Sequence, residues 1–426
     1  MISLMKYGEV PNSEIFARKE PLVDVSGIVA DILRDVRENG DAAVLSYTAK
    51  FDHAELPGLL VSPEEFEEAL ALTEPEFLRI LEEAAENIRS FHRHQVRNSF
   101  VVNDRNGIVM GQKIIPMDRV GLYVPGGTAS YPSSVLMDSI PAIIAGVPEV
   151  VIATPPGPDG KIAPAILAAA HTAGVKKIVK CGGAQAIAAL AYGTESVPKV
   201  DKIVGPGNAF VTEAKRQVYG QVAIDMIAGP SEILIVADGK TNPVHAAADL
   251  LSQAEHDKLS SAVLVTDSMD LALKVRDELE KQIPTLIREE IARASIDNNG
   301  KIIVAEDLGL AIDIANEIAP EHLELLVDQP FDYLDRIRHA GSVFLGRNCP
   351  EALGDYLAGP NHTLPTLGTA RFSSPLSVDE FVKKTQYTYF TREALQTVHE
   401  DVAYFAEKEG LTGHARSARI RFEEDV

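Results

Sequence analysis

The feature that most constrains this chain is a repeated alternation that runs from about Val120 to Leu345. Short, nearly all-apolar runs alternate with longer amphipathic segments. "VGLYVPGG", "EVVIATPP", "KKIVKCGG" and "KIVGPG" read as strands, and "SSVLMDSIPAIIAGV", "APAILAAAHTAGV", "AQAIAALAYG" and "NAFVTEAKRQVYG" as the helices between them. A strand without polar alternation is buried on both faces, so the pattern predicts a parallel sheet covered by helices on both sides. A second series repeats it: strands at "SEILIVAD", "SAVLVTD", "GKIIVAED" and "GSVFLG", with helices at "NPVHAAADLLSQAEHD" and "MDLALKVRDELEKQIP" and through most of "LGLAIDIANEIAPEHLELLV". The break between these two α/β units falls near Ala228 to Ser231. From Ser26 to Arg97 the spacing is helical, with a break at Gly40 and with Ser62 as an N-cap ahead of Pro63 and two glutamates. After Pro375 the chain turns charged and helical, and needs a surface to lie on.

At 426 residues the chain is long enough for two or three domains. Its 62 acidic and 40 basic side chains leave a net charge of −22. That balance argues against nucleic acid or an anionic membrane as partner, because both need basic patches. It leaves room for an anionic cofactor bound by backbone N–H groups at helix N-termini. The two cysteines, Cys181 and Cys349, are far apart, which excludes a disulfide framework and fits a reducing cytoplasm. The N-terminus shows no signal peptide, and no apolar run reaches the roughly 20 residues needed to span a bilayer.

Three glycine-bearing loops follow strands: Pro125-Gly126-Gly127-Thr128, Gly182-Gly183 and Gly205-Pro206-Gly207-Asn208. In open α/β sheets ligands bind at the carboxyl ends of strands, and glycine there lets them approach the backbone. Tight βα turns alone account for such glycines equally well. The third loop nearly spells GxGxxG but ends on Phe210. Asp225, about 20 residues on, stands where a ribose-binding acid would, and a fingerprint broken by proline gives it little weight.

Polar constellations lie elsewhere. In "LSQAEHD", Gln253 and His256 are three apart, one face of a helix, which suits either a solvated end or a pair of ligands. In "NEIAPEHLELL", Glu321 and His322 are adjacent after Pro320, which suits a general base beside a general acid or merely a solvated helix start. Asp355 and His362 lie in the Gly/Pro-rich "EALGDYLAGPNHTLP". Glu409 and His414 lie in "EKEGLTGHARS", where two glycines argue against a helix. Gln253, His256, Asp355, His362 and His414 together form a nitrogen and oxygen ligand pool of the kind zinc accepts.

The motifs "DRVGLYVPGGTASYPSSVLM", "GGAQAIAALAYGTESVPKVDKIVGPGN", "DMIAGPSEILIVAD", "LLSQAEHD", "IAPEHLEL", "GDYLAGPNHTLPT" and "GTARFSSPLSVDEFVKK" together resemble the histidinol dehydrogenase family, from about Ser26 to His414. The resemblance implies two incomplete Rossmann-like domains with small, mainly helical extended ends. The N-terminal extension would be 1–20 and the first domain 21–122 with 232–376. The NAD-binding domain would be 123–231 and the C-terminal dimerisation tail 377–426. It implies NAD, one zinc ion per subunit, L-histidinol as substrate and a homodimer whose sites are shared between chains.

Residue by residue, the resemblance implies that Gln253, His256, Asp355 and His414 bind zinc and lie against the substrate. Glu321 and His322 would move protons, with His322 also touching substrate. Ser231, His362 and Glu409 would contact substrate, and Tyr123, Gln185 and Asn208 the cofactor. A zinc hydrolase using the same ligands, or a two-lobed binding protein, would show no NADH formation with histidinol.

Overall fold

The computed structural model describes residues 1–18, 24–126 and 130–423; Gly127 and Thr128 of the first glycine loop, and the expected boundary at 20/21, lie outside them. The described chain divides into two compact units, Met1–Gln95 with Met117–Phe381, and Val96–Pro116 with Val382–Val426.

The first unit holds two all-parallel sheets. The five-stranded sheet comprises β4 (Arg119–Tyr123), β5 (Glu149–Thr154), β6 (Lys177–Lys180), β7 (Lys202–Val204) and β8 (Ala223–Ile224), in the order β6-β5-β4-β7-β8. The six-stranded sheet comprises β1 (Ser3–Lys6), β9 (Glu232–Ala237), β10 (Ser261–Thr266), β11 (Lys301–Val304), β12 (His322–Leu326) and β13 (Ser342–Leu345), in the order β1-β11-β10-β9-β12-β13. Both sheets are buried on both faces. Val150 and Ile152 join one core while Val151 and Ala153, one residue along each time, join the core behind it. Ile233 and Ile235 face one core of the second sheet, and Leu234 and Val236 the other. This is why the strands read as unbroken apolar runs.

The helices expected from Ser26 onward are present as Ser26–Phe51, Pro63–Leu72 and Pro75–His92. Gly40 takes φ 53° inside the first of them, a left-handed kink that places the break where the sequence has it. Ser62 and Glu65 form a reciprocal capping box at the second.

Five expectations need correction. These helices, assigned with the 232–376 segment, share their cores mainly with the five-stranded sheet, and of that segment only Leu357 and Leu376 join them. Their apolar faces meet the apolar faces of the helices that cover that sheet. The N-terminal segment, expected as a mainly helical extension, supplies an edge strand, β1, paired in parallel with β11. "EHLEL" is the strand β12 rather than the continuation of a helix, because the preceding helix stops at Ala319 in the left-handed region, with Pro320 behind it. Segment 96–116, expected within the first domain, forms β2 (Phe100–Arg105) and β3 (Ile108–Pro116) of the second unit. The tail, expected to be helical from the start, opens with β14 (Val382–Phe390), antiparallel to β3, where "KKTQYTYF" is rich in β-branched and aromatic side chains.

The second unit ends in the helices Arg392–Gln396, His399–Lys408 and Thr412–Arg419. The last contains Gly413 and His414 in spite of the glycines.

Candidate active site

The first unit brings the sequence candidates to opposite ends of its two sheets. Tyr123 ends β4, and Gln185 and Asn208 sit just beyond the carboxyl ends of β6 and β7, in a sheet whose strand order reverses between β4 and β7. Tyr123 is buried, and its hydroxyl accepts a hydrogen bond from the Gly183 N–H at 3.1 Å. Burial pushes that phenol up to about 12. Gln185 is buried in the first turn of the helix Gly183–Tyr192. The Asn208 side-chain oxygen caps the helix Ala209–Val218, accepting from the N–H groups of Phe210 and Val211 at 3.1 and 3.2 Å. A cleft of about 650 Å³ opens at the end of β5, lined by Asp52, Gly126, Thr154, Pro155 and Lys161 among others. It adjoins these residues through Pro125 and Gly126 without including them.

The other candidates gather at the amino ends of β9 and β12. The parallel register sets His322 opposite Ile233. One residue, Glu232, then holds both members of the Glu-His pair. Its N–H donates to Glu321 Oε2 at 2.8 Å, and its carbonyl lies 3.0 Å from His322 Nδ1. A carbonyl can only accept, so Nδ1 carries the proton and Nε2 is left as the basic nitrogen. Both side chains are buried, against the expectation of a solvated helix start. Burial lowers His322 to about 4 and raises Glu321 well above the usual carboxylate range, with the Glu232 N–H opposing that rise.

Asp355 lies on the helix Glu351–Tyr356, not in a loop. Its Oδ1 is 3.4 Å from His362 Nδ1. Burial works against the charged form of Asp355, but the imidazole beside it holds the carboxyl down to about 2. For His362 burial lowers and Asp355 raises, and the carboxylate prevails. His362 is held from behind by the helix Pro132–Ala145. Its Nε2 is 3.2 Å from Ser134 Oγ, while its neighbours Asn361 and Thr363 donate to the Met137 carbonyl and the Asp138 carboxylate.

Gln253 is 1% exposed in the last turn of the helix Pro243–Ala254, so it is no solvated end. Neither polar atom of its amide has a hydrogen-bond partner of good geometry, although the amide lies close enough to the Glu351 carboxyl to favour its charged form. His256 follows just past that helix, 3.4 Å from Ser231 Oγ. Burial lowers its pKa, with the Asp355 charge opposing. Glu409 and His414 belong to the second unit, where both are exposed.

Three acids escaped the reading of the sequence. Among the described residues, ligand atoms of His322, Glu351 and Asp355 converge within 4.8 Å. Glu351 stands four before Asp355, a helical spacing that could have marked it. Its Oε2 accepts from Ser252 Oγ at 2.9 Å, and its N–H donates to Glu324 Oε1 at 2.7 Å. Burial raises Glu351 to about 8, and the Asp355 carboxylate acts in the same direction. Glu324 follows His322 by two, the same face of a strand, and is fully buried. Glu232, which acts through its backbone, left no signal.

A model of the histidinol dehydrogenase family matches residues 17–422. The chain belongs to the histidinol dehydrogenase family. The histidinol dehydrogenase of Syntrophotalea carbinolica is 56% identical over 413 residues, 96% of each chain. That of Bacillus subtilis is 55% identical over 393 residues, 92% of each. The solved histidinol dehydrogenase of Elizabethkingia anophelis superposes with a TM-score of 0.93 at 39% identity, over 99% of this chain and 98% of that one. As a histidinol dehydrogenase the chain is an oxidoreductase of histidine biosynthesis. No described helix is long and apolar enough to cross a membrane.

Burial, reinforced by the Asp249 carboxylate, pushes Glu324 up to about 9. The folded chain therefore keeps a proton that the unfolded chain releases above about pH 4.3. The stability tied to it is complete below that pH and is lost as pH rises through about 9. Glu324→Gln, neutral throughout, should gain melting temperature relative to the parent as the metal-free protein is moved from about pH 5 to about pH 9. A difference that stays flat over this range would show that Glu324 is ionised in the folded chain.

Proposed function

We propose that the site carries out the four-electron, NAD-dependent oxidation of L-histidinol to L-histidine through L-histidinal. One zinc ion would be held in each subunit by Gln253, His256, Asp355 and, from the tail, His414. The observation that carries this reading is the Glu321–His322 pair, fixed by the Glu232 backbone and buried beside Asp355.

The donor set fits the ion. Gln253 offers a buried amide that meets no hydrogen bond of good geometry, His256 is kept neutral by burial, and Asp355 stays ionised, the forms in which these groups ligate. Glu351 is a poorer ligand, since it is held protonated and bonded to Ser252, and His322 is needed as a base. The nicotinamide site fits as well, with glycine loops and Tyr123, Gln185 and Asn208 at a sheet reversal beside a cleft large enough for a ligand. When bound, the nicotinamide would supply the hydride acceptor for each oxidation, and the zinc ion would supply a Lewis-acid anchor for the nitrogens of the substrate.

The chain's own groups do the rest. His322 Nε2 takes the alcohol proton in the first oxidation, while Nδ1 remains bonded to Glu232. Glu321, one oxygen held by the Glu232 N–H and the other free, takes a proton from the water that adds to the aldehyde, with His322 beside it. Burial raises its pKa and the Glu232 N–H opposes that rise, so the carboxyl is a stronger base than a solvated one. Ser231, His362 and Glu409 orient the substrate, and keeping the aldehyde bound between the two oxidations prevents its loss. Cys181 and Cys349 are unpaired, which supports a reducing cytoplasm as the setting, and recovery outside the cytosolic fraction would overturn that placement.

The decisive measurement counts NADH formed per histidinol consumed, with metal content beside it. Two NADH per histidinol are expected, with activity abolished by chelation and restored by zinc. His256→Ala should lower metal content while Glu351→Gln keeps it. Full activity in demonstrably metal-free protein, or one NADH per substrate, would rule the scheme out.

The division of labour is separately testable. Glu321→Gln should slow oxidation of supplied histidinal more than oxidation of histidinol to the aldehyde, and His322→Asn should slow both. Equal losses for Glu321→Gln in the two half-reactions would contradict its role in activating water.

We also propose a homodimer in which Glu409 and His414 reach the partner's site. Val402, Tyr404 and Phe405 are exposed on the helix His399–Lys408, an apolar face that calls for a covering surface, and a two-fold partner can supply one. Inactive His256→Ala and His414→Ala chains, unfolded together and refolded, should regain about a quarter of parental activity, since each mixed dimer then has one intact site. Mixed dimers that form and stay inactive would show that each chain builds its own site.

A further inference from the structure

Asp225 stands where the sequence would place a ribose-binding acid, yet its side chain is 1% exposed and turned inward. It forms an ion pair with Lys215, which is 3% exposed. The pair closes on a single residue of the glycine loop. Gly205 N–H donates to Asp225 Oδ2 at 2.8 Å, and Lys215 Nζ donates to the Gly205 carbonyl at 2.9 Å. The second Asp225 oxygen also accepts from the Met226 N–H at 2.6 Å.

Gly205 itself has little freedom. Its φ is +112°, and a Cβ there would stand 2.1 Å from the Tyr123 carbonyl oxygen. The loop thus runs against the backbone of Tyr123 and reaches Asn208 three residues later, both groups assigned to the cofactor. A buried ion pair is a poor source of net stability compared with apolar packing, and its strength lies in fixing geometry. Here the geometry fixed is both polar groups of one glycine.

We propose that Lys215 and Asp225 are positioning residues that set the loop from Gly205 to Asn208 against Tyr123 for NAD without touching the cofactor. The proposal rests on the assignment of that loop to NAD. It also gives a reason for the one buried charge, Lys215, in a helix whose other inward side chains, Val211, Ala214 and Val218, are apolar.

The test uses the zinc-loaded dimer. Lys215→Met and Asp225→Asn alone each leave an unpaired buried group, and both should lower the melting temperature. The double variant removes both charges, so its melting temperature should return toward the parent's. It still lacks the donor to the Gly205 carbonyl. Its KM for NAD, and its NAD dissociation constant by calorimetry, should therefore stay raised about tenfold, as for a lost hydrogen bond from a charged donor. KM for histidinol and zinc content should remain within about twofold of the parent's if the clamp acts on the loop alone.

A double variant that binds NAD like the parent, or that loses affinity for NAD and histidinol in parallel, overturns the proposal. If the double variant does not fold, Lys215→Arg, which keeps the charge and displaces the donor, is read in the same way. A parent that binds no NAD would sink the assignment of the loop as well, whereas normal binding by parent and variant alike strikes the clamp alone.

Discussion

The arrangement depends first on one backbone residue. Glu232 opens β9, and its N–H and carbonyl end on Glu321 and His322. Neither contact is possible unless β12 pairs in parallel with β9 in the register seen. A slip of one residue would turn His322 to the opposite face of the sheet. The tautomer of the histidine, and hence which nitrogen is free, is thus settled by strand pairing. Backbone groups already committed to a sheet do not reorient, so the pair is organised before any substrate arrives.

The same register explains an inversion. Parallel sheets usually receive ligands at the carboxyl ends of their strands, and the five-stranded sheet carries Tyr123 and its glycine loops at those ends. The six-stranded sheet reverses direction between β9 and β12, yet its functional groups stand at the amino ends there. At the carboxyl ends Arg347 bridges Asp238 and Asp328, tying β9, β12 and β13 together with charge. In the reading proposed, the substrate side lies at the amino ends of one sheet and the cofactor side at the carboxyl ends of the other. The Asn361–Thr363 segment joins the two sides. It carries His362 beside Asp355 and is bonded along its length to a helix of the five-stranded sheet.

What the sequence made legible follows from what periodicity can carry. Doubly buried strands such as "EVVIAT" and "EILIVA" announce themselves, and so do their glycine-ended loops. The ligand role proposed for Gln253 and His256 rests in the sequence on the family motif alone, because spacing fits a wet helix end equally well. "EHLELL" misled because its polar residues, Glu321, His322 and Glu324, are buried, so a five-residue core strand looks half-solvated in the sequence. β14 misled for the opposite reason. Its exposed lysines, threonine and glutamine read as a solvated helix. Gly413 shows the limit of local propensity: a cost of about 1 kcal/mol does not stop a short helix whose Ala415 is packed against Ala403 and Ala406.

The buried acids follow from the same economy of space. Asp249 and Ser252 lie on the helix that brings Gln253, Glu324 on the strand that begins with His322, and Glu351 on the helix that brings Asp355. Three elements that each deliver a functional group are therefore braced by carboxyl groups a turn or two residues away. Ionised together they would repel at close range in a dry interior. Raised toward 9 and 8, Glu324 and Glu351 hold protons near neutral pH, and each then becomes a donor to its neighbour as well as an acceptor. Asp355 is the exception, held down to about 2 by His362. One full negative charge is thus concentrated on the carboxylate proposed to ligate zinc, while the acids behind it act as neutral hydrogen-bonding braces. An amide could match that bracing at Glu324 without taking up a proton, so the cost of the carboxyl grows with pH while its geometry stays the same.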